Sequence, residues 1–224
     1  MSASSGSGRI LPSHFFERDT VSVARELLGK VIESTVGAER VSGRIVETEA
    51  YLGSSDPGSH ASTKGMTPRN SVMYGPAGRA YVYFTYGNHH MLNLVTEPEG
   101  VAGAVLIRAL EPLEGAETMA RRRAGARRSG RPLPPRDVAN GPGKVAAALG
   151  IDLSHNRAPL DGTRDLVVYD APDPTEATLS SGRIGLRAGH ELELRFYLEG
   201  DPFVSKGSVG PRTAARRLRK EATK

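Results

Sequence analysis

The stretch RAYVYFTYGNHHMLNLVTEPEGVAGAVLIRAL, residues 79–110, carries the densest strand signal of the chain. Tyr81 and Tyr83, with the offset pair Phe84 and Tyr86, lead into a Gly-Asn turn, and an apolar run returns from it. That pattern predicts a β-hairpin with aromatic residues near its tip. A third strand, AVLIRAL (104–110), follows the Pro-Glu-Gly turn. Upstream, RVSGRIVETEAYLG (40–53) alternates β-branched and polar residues and reads as a strand that runs out at Gly53. The start of a strand is read in the end of RILPSHFFERDTVSVARELLGKVIES (9–34), and strands are also expected near 165–170, 181–187 and 191–198. Helices are expected after Asp19 or Thr20 (ending at Gly29), over 115–124 and over 143–149. The fold class is therefore α+β: a single mixed domain with a largely antiparallel sheet and a protruding β-hairpin.

At 224 residues, with 25% charged and 38% hydrophobic residues, the chain can bury a real core and does not read as disordered. No apolar run approaches the length of a membrane-spanning helix, and MSASSGSG at the start lacks the character of a signal peptide. Cysteine is absent, which excludes disulfides, thiolate metal sites and cysteine nucleophiles and fits a reducing interior. The organisation expected is a flexible tail (1–9), one domain (10–205) and a basic C-terminal tail (206–224).

The net charge of +5 is unevenly spread. Seven arginines and no acid fall in 121–136, read as an Arg-rich loop. Six basic residues and one glutamate fall in 211–224. Without these two segments the chain is acidic on balance. Two cationic segments on such a body suggest a polyanion, most simply nucleic acid; the plainer reading is a solubilising loop and a ragged tail.

Candidate chemistry gathers in three places. GPGKV (141–145) lacks the spacing of a phosphate-binding loop, no GxGxxG opens a helix, and the six histidines show no ligand spacing, so neither a nucleotide cofactor nor a metal is expected. ETEAY (47–51) puts Glu47, Glu49 and Tyr51 on one strand face, with His60 in the long polar loop 54–70 that follows. A desolvated carboxylate beside aromatic rings can act as a general base on water, although solvent-facing strand carboxylates are commoner. YVYFTYG with Asn93 reads either as ordinary sheet core or as a base-stacking surface. Arg108, inside an apolar strand pattern, needs a carboxylate partner, and Glu47 and Glu49 are the candidates.

Beyond these readings, the ordered series GRIVETEAYLG (43–53), TPRN (67–70), YVYFTYGNHHMLN (81–93), LIRALEPLEG (106–115), NGPGK (140–144), RIGL (183–186) and LRFYLEGDPFVS (194–205) resembles the alkyladenine (3-methyladenine, methylpurine) DNA glycosylases over nearly the whole chain. The resemblance implies Glu49 as the general base on the attacking water and Arg108 as the residue that helps hold both. It implies Tyr51 and His60 at one face and edge of a flipped base and Tyr83 on its other face, Asn93 against the 2-amino group of guanine, and Tyr86 filling the gap left in the duplex. Lys64, Arg69, Lys144 and the 121–136 segment are candidates for the DNA backbone.

The function so implied is a monofunctional glycosylase of base excision repair, acting as a monomer on double-stranded DNA that contains damaged purines. It would need neither metal nor cofactor and would have no membrane association. Its location would be intracellular, and in a bacterium cytoplasmic and nucleoid-associated. The rival readings are a non-catalytic damaged-nucleic-acid-binding module and, further off, a nucleoside hydrolase. The tip Asn88-His89-His90 is more polar than in some relatives, and Glu47 is expected to form a structural salt bridge.

Overall fold

Strand β2 (Val41–Tyr51) organises the sheet, because its two edges must be covered along different parts of its length. One edge pairs with β5 (Ala104–Glu114) from Ser42 to Tyr51. The other pairs first with β1 (Val31–Ser34) and then, over Glu47–Glu49, with β8 (Arg195–Leu198). The computed structural model, which describes residues 8–62, 65–85, 87–124 and 133–207, completes the sheet with β3 (Ala80–Thr85), β4 (His89–Val95), β6 (Leu166–Tyr169) and β7 (Thr178–Ser181). The main order is β3-β4-β5-β2-β1-β6, with β7 joined through β8, and every strand pairing is antiparallel. The expected α+β class with an antiparallel sheet is what forms. Strands β3 and β4 pair from Ala80↔Leu94 to Thr85↔His89.

Helices cover the apolar face. α1 (Ser13–Phe16) leads into α2 (Thr20–Glu26), where Asp19 accepts the Ser22 amide at 2.8 Å, as the capping pattern predicts. α3 (Ala116–Ala124) and α4 (Pro142–Leu149) follow β5. Val23, Leu27, Val145 and Leu149 bury against Ile45, Leu92, Leu94, Val105 and Ile107. A second, smaller cluster gathers Met73, Tyr81, Val95 and Ala104, with Tyr51 and Tyr83 packed on it. Alternation along β5 explains the division, since Val105 and Ile107 belong to one cluster and Ala104 to the other.

Three irregularities interrupt the β2–β5 ladder, one at Ser42/Gly43 and two around Glu47. Ile45 opposes Leu110, Glu47 opposes Ala109 and Thr48 opposes Ile107, so Val46 and Arg108 are each skipped. Such bulges locally re-aim side chains, and these lie beside the charged residues of β2.

Three sequence expectations change. The strand near 181–187 lies at 178–181, because Arg183 turns into the interior towards Asp56 and Gly185 adopts a φ of 80°. The strand near 191–198 is confined to 195–198. Within the Arg-rich segment, Arg121–Arg123 end α3; Arg122 donates to the carbonyls of Val36 (2.6 Å) and Ala148 (3.2 Å), which is internal packing. Residues 125–132 and both expected tails, apart from 8–9 and 206–207, lie outside the described residues.

Gly115 joins β5 to α3 at a φ of 67°, and a Cβ there would sit 2.6 Å from the Arg40 carbonyl oxygen. Both the conformation and the space favour glycine, so Gly115→Ala should cost about 2 kcal/mol. Thermal unfolding followed by circular dichroism should show the midpoint falling by about 4–8 °C.

Candidate active site

Glu47 and Glu49 are both fully buried, so each negative charge must be met by donors inside the protein. The bulged residue Arg108 meets both: Nε lies 2.9 Å from Glu47 Oε1 and Nη1 3.2 Å from Glu49 Oε2. Glu47 also accepts from Arg195 Nε (2.7 Å), the Ser205 amide (2.7 Å) and Ser205 Oγ (2.9 Å). With Arg108 that makes four donors, about the full capacity of a carboxylate. Burial pushes the Glu47 carboxyl up, but Arg108, Arg195 and the Ser205 amide outweigh it and hold it below the ordinary carboxylate value.

Glu49 is held differently. Tyr51 Oη donates to Oε2 at 2.8 Å and the Ile184 amide to Oε1 at 2.7 Å. With Arg108, three donors reach it among the described residues, leaving about one acceptor position for another hydrogen bond. Burial first, and then the Glu49 charge, raise the Tyr51 phenol well above its ordinary range, so it stays a donor.

The Ile184 amide is delivered by a segment that crosses the end of β2, anchored by Arg183. This wholly buried guanidinium reaches Asp56 through Nη1 (2.6 Å) and Nη2 (2.5 Å). Asp56 in turn accepts the amides of Leu52 and Gly58, which fixes the loop leading to His60.

Beside these charges lies a cavity of about 320 Å³. Tyr51, His60, Tyr81, Tyr83, Met73, Met91, Asn93, Leu106, Arg108 and Ile184 are among the residues of its wall. His60 Nδ1 and Tyr81 Oη are 3.0 Å apart, and the His60 and Tyr83 rings meet edge to face at 4.8 Å. Burial pushes Tyr81 up to about 12. Burial and the nearby Arg69 charge lower His60, so its imidazole is neutral around pH 7. Asn93 is buried, its amide donating to the Tyr81 carbonyl at 3.0 Å. The cavity can hold a flat ring against aromatic walls, with Arg108 in its wall and Glu49 immediately behind Tyr51 and Ile184.

Six residues singled out from the sequence thus come together: Glu49 with Tyr51 and Arg108, and His60, Tyr83 and Asn93 around the same cavity. Arg69 sits with the aromatic cluster, its Cζ 5.1 Å from the Tyr83 ring centroid and Nη2 3.3 Å from the Phe84 carbonyl. Lys144, in the first turn of α4, donates to Asn140 Oδ1 at 2.6 Å. Tyr86 and Lys64 lie outside the described residues. Glu47 forms the salt bridge expected of it, though with two arginines. Arg183, Asp56, Arg195, Ser205 and the Ile184 amide were not assigned any part by the sequence reading. The only signal for them was the presence of all but Asp56 in strings shared with the resembled family. Among the described residues, no group of three His, Asp or Glu side chains is placed to hold a metal ion.

Comparison with known proteins adds an independent finding. A family model described as "Methylpurine-DNA glycosylase (MPG)" matches residues 14–202. A protein of Methanocella arvoryzae named "Putative 3-methyladenine DNA glycosylase" is 45% identical over 204 residues, covering 90% of this chain and 98% of its own. A protein of the same name from Chlorobium phaeobacteroides is 46% identical over 201 residues, covering 89% and 97% of the two chains.

The Glu47 network generates a stability prediction. Glu47→Ala leaves Arg108 and Arg195 buried beside an uncompensated space and should cost about 3–5 kcal/mol in chemical denaturation. Because the folded carboxyl titrates below its ordinary value of 4.5, its contribution is complete at neutral pH and is lost in acid, as pH falls through the folded value. The stability gap between the parent and Glu47→Gln should therefore be wide at neutral pH and narrow only as the pH falls below 4.5. A gap independent of pH would show that the Glu47 charge contributes nothing.

Proposed function

This chain belongs to the methylpurine-DNA glycosylase family and is a DNA glycosylase, a hydrolase of N-glycosyl bonds acting on DNA with damaged bases; from that premise we propose that Glu49 activates the attacking water for a purine flipped into the aromatic cavity. The observation that carries this reading is the contrast between the two buried carboxylates. Glu47 accepts four donors, two of them arginines, whereas Glu49 has three, all from residues of the cavity wall, and its Oε1 accepts only the Ile184 amide among the described residues, which keeps about one acceptor position for a water proton.

In the proposed step the water oxygen bonds to the anomeric carbon of the deoxyribose as its proton passes to Glu49. The bond from that carbon to the purine nitrogen breaks, and its electron pair leaves with the base. The products are the free base and an abasic site in an unbroken strand. The sugar passes through an oxocarbenium-like state, which a nearby carboxylate stabilises as it does in glycoside hydrolysis. A purine alkylated at N3 or N7 carries positive charge, leaves more readily and is attracted to aromatic faces.

Tyr51, His60 and Tyr83 would contact the base. Since His60 and Tyr83 already meet edge to face, the base packs against this pair and not between its members. Asn93, buried in the wall, would exclude the 2-amino group of guanine. Arg108 would act on Glu49 and the water, the role its contact with Glu49 supports. Arg69 and Lys144 would meet the DNA backbone. For Tyr86 as the residue entering the duplex, and for Lys64 as a backbone contact, the sequence alone supports the proposal. The enzyme would act as a monomer on duplex DNA, without metal, on 3-methyladenine, hypoxanthine or ethenoadenine.

The test is single-turnover excision from duplexes carrying one hypoxanthine or one ethenoadenine, by the parent and by Glu49→Gln. The parent should produce breaks only after alkali. The variant should bind the same duplex and lose about 10²–10⁴-fold in rate. Undiminished excision by Glu49→Gln would overturn the assignment of the base. Breaks without alkali would overturn the hydrolytic route.

A further inference from the structure

Arg183 is the bulkiest of the wholly buried side chains, and catalysis as proposed makes no direct use of it. Its terminal N–H groups are committed in the plane of the guanidinium: Nη1 to Asp56 Oδ2 (2.6 Å) and the Ala50 carbonyl (2.9 Å), Nη2 to Asp56 Oδ1 (2.5 Å) and the Gly189 carbonyl (3.2 Å). The Nε–H is buried without a hydrogen-bond partner among the described residues, and the flat face of the group lies against Tyr51, with Cζ 4.6 Å from the ring centroid. The fit is tight: a Cβ on Gly58 would come within 2.7 Å of Nη2.

Tyr51 borders the cavity and Arg183 does not, so the guanidinium occupies the ring face turned away from the bound base. A cation on one face of a ring draws π density towards itself, and burial keeps solvent from screening the effect. The cavity-side face is then less attractive to a second cation, while its dispersion contact with a neutral flat ring is unchanged. We propose that Arg183 sets the balance between cationic and neutral bases in this cavity. It blunts the pull of Tyr51 on a positively charged alkylated purine and leaves stacking on a neutral purine, such as hypoxanthine, intact. The inference rests on the reading above in which Tyr51 stacks on the flipped base.

The experiment compares single-turnover excision of 3-methyladenine, a cationic base, and of hypoxanthine, a neutral one, from otherwise identical duplexes. Neither base carries the 2-amino group of guanine, and each variant is expressed relative to the parent. In Asp56→Asn/Arg183→Gln, which removes both charges, the ratio of 3-methyladenine to hypoxanthine excision should rise about 3–10-fold, whatever the loss in absolute rate. Arg183→Lys keeps the charge and should leave the ratio within about twofold. Equal changes for both bases in the neutral variant would overturn the proposal and reduce Arg183 to a structural anchor.

If the neutral variant does not fold, Tyr51→Leu decides the matter in the presence of Arg183. The proposal expects the two bases to lose rate by the same factor, because the ring supplies them with the same contact. A loss about tenfold greater for 3-methyladenine would show an unblunted cation–π platform and overturn it. A parent that excises neither base defeats the functional reading itself, whereas an active parent with an unmoved ratio defeats only the role of Arg183.

Discussion

The structure depends on the burial of two carboxylates, two residues apart on one strand, both closed off from bulk solvent. Side by side, Glu47 and Glu49 would repel, and either one alone would carry a large desolvation cost. Arg108 stands between them and answers both, with Arg195 completing the compensation of Glu47. The geometry around these groups follows from that requirement. The ladder skips Arg108, β8 joins the far edge of β2 at Glu47–Glu49 and so brings Arg195, and the turn at Ser205 gives two donors to the same carboxylate.

Compensation is unequal, and the inequality carries the chemistry. A carboxylate tied to two buried arginines and to both donors of Ser205 is a structural anion, and Glu47 fits that description. Glu49 is bound tightly enough to be immobile but retains room for one more partner. All three of its donors come from residues that also shape the cavity: the Tyr51 phenol, the Ile184 amide and the Arg108 guanidinium. The wall that receives a base and the carboxylate that would act on it are therefore held by the same atoms. Such shared support is how a site keeps its geometry without contributing further binding groups.

A second buried ion pair, Arg183 with Asp56, carries the principle outward. It joins the end of β2 and the loop bearing His60, which are consecutive in the chain, to the segment bearing Ile184, with Arg183 itself 127 positions beyond Asp56. An unpaired arginine at that position would be very costly, so the pair forms together with the loop packing or not at all. Polar residues in 54–70 are thereby bound into the structure: Asp56 and Ser59 are buried, and Asn70 bridges to the carbonyls of His60 and Gly65.

Sequence by itself determined a good deal. Strand alternation in 40–53 and 79–110 showed an antiparallel α+β fold, Asp19 marked a helix start, and an arginine in AVLIRAL demanded a carboxylate partner. These follow from local rules: period, capping and the cost of a buried charge act within a few residues. The family resemblance named Glu49, Tyr51, His60, Tyr83, Asn93 and Arg108, of which the last five line one cavity and Glu49 lies against Tyr51 and Arg108 behind it. Only tertiary structure decided how Glu47 and Glu49 differ, since the difference lies in donors from Arg195, Ser205 and Ile184, more than 130 positions away along the chain. It also decided the fate of RIGL, which reads as strand by its pattern but is drawn out of the sheet by Arg183 reaching Asp56. No local pattern encodes a partner 127 residues distant, because the pairing exists only after the sheet has folded.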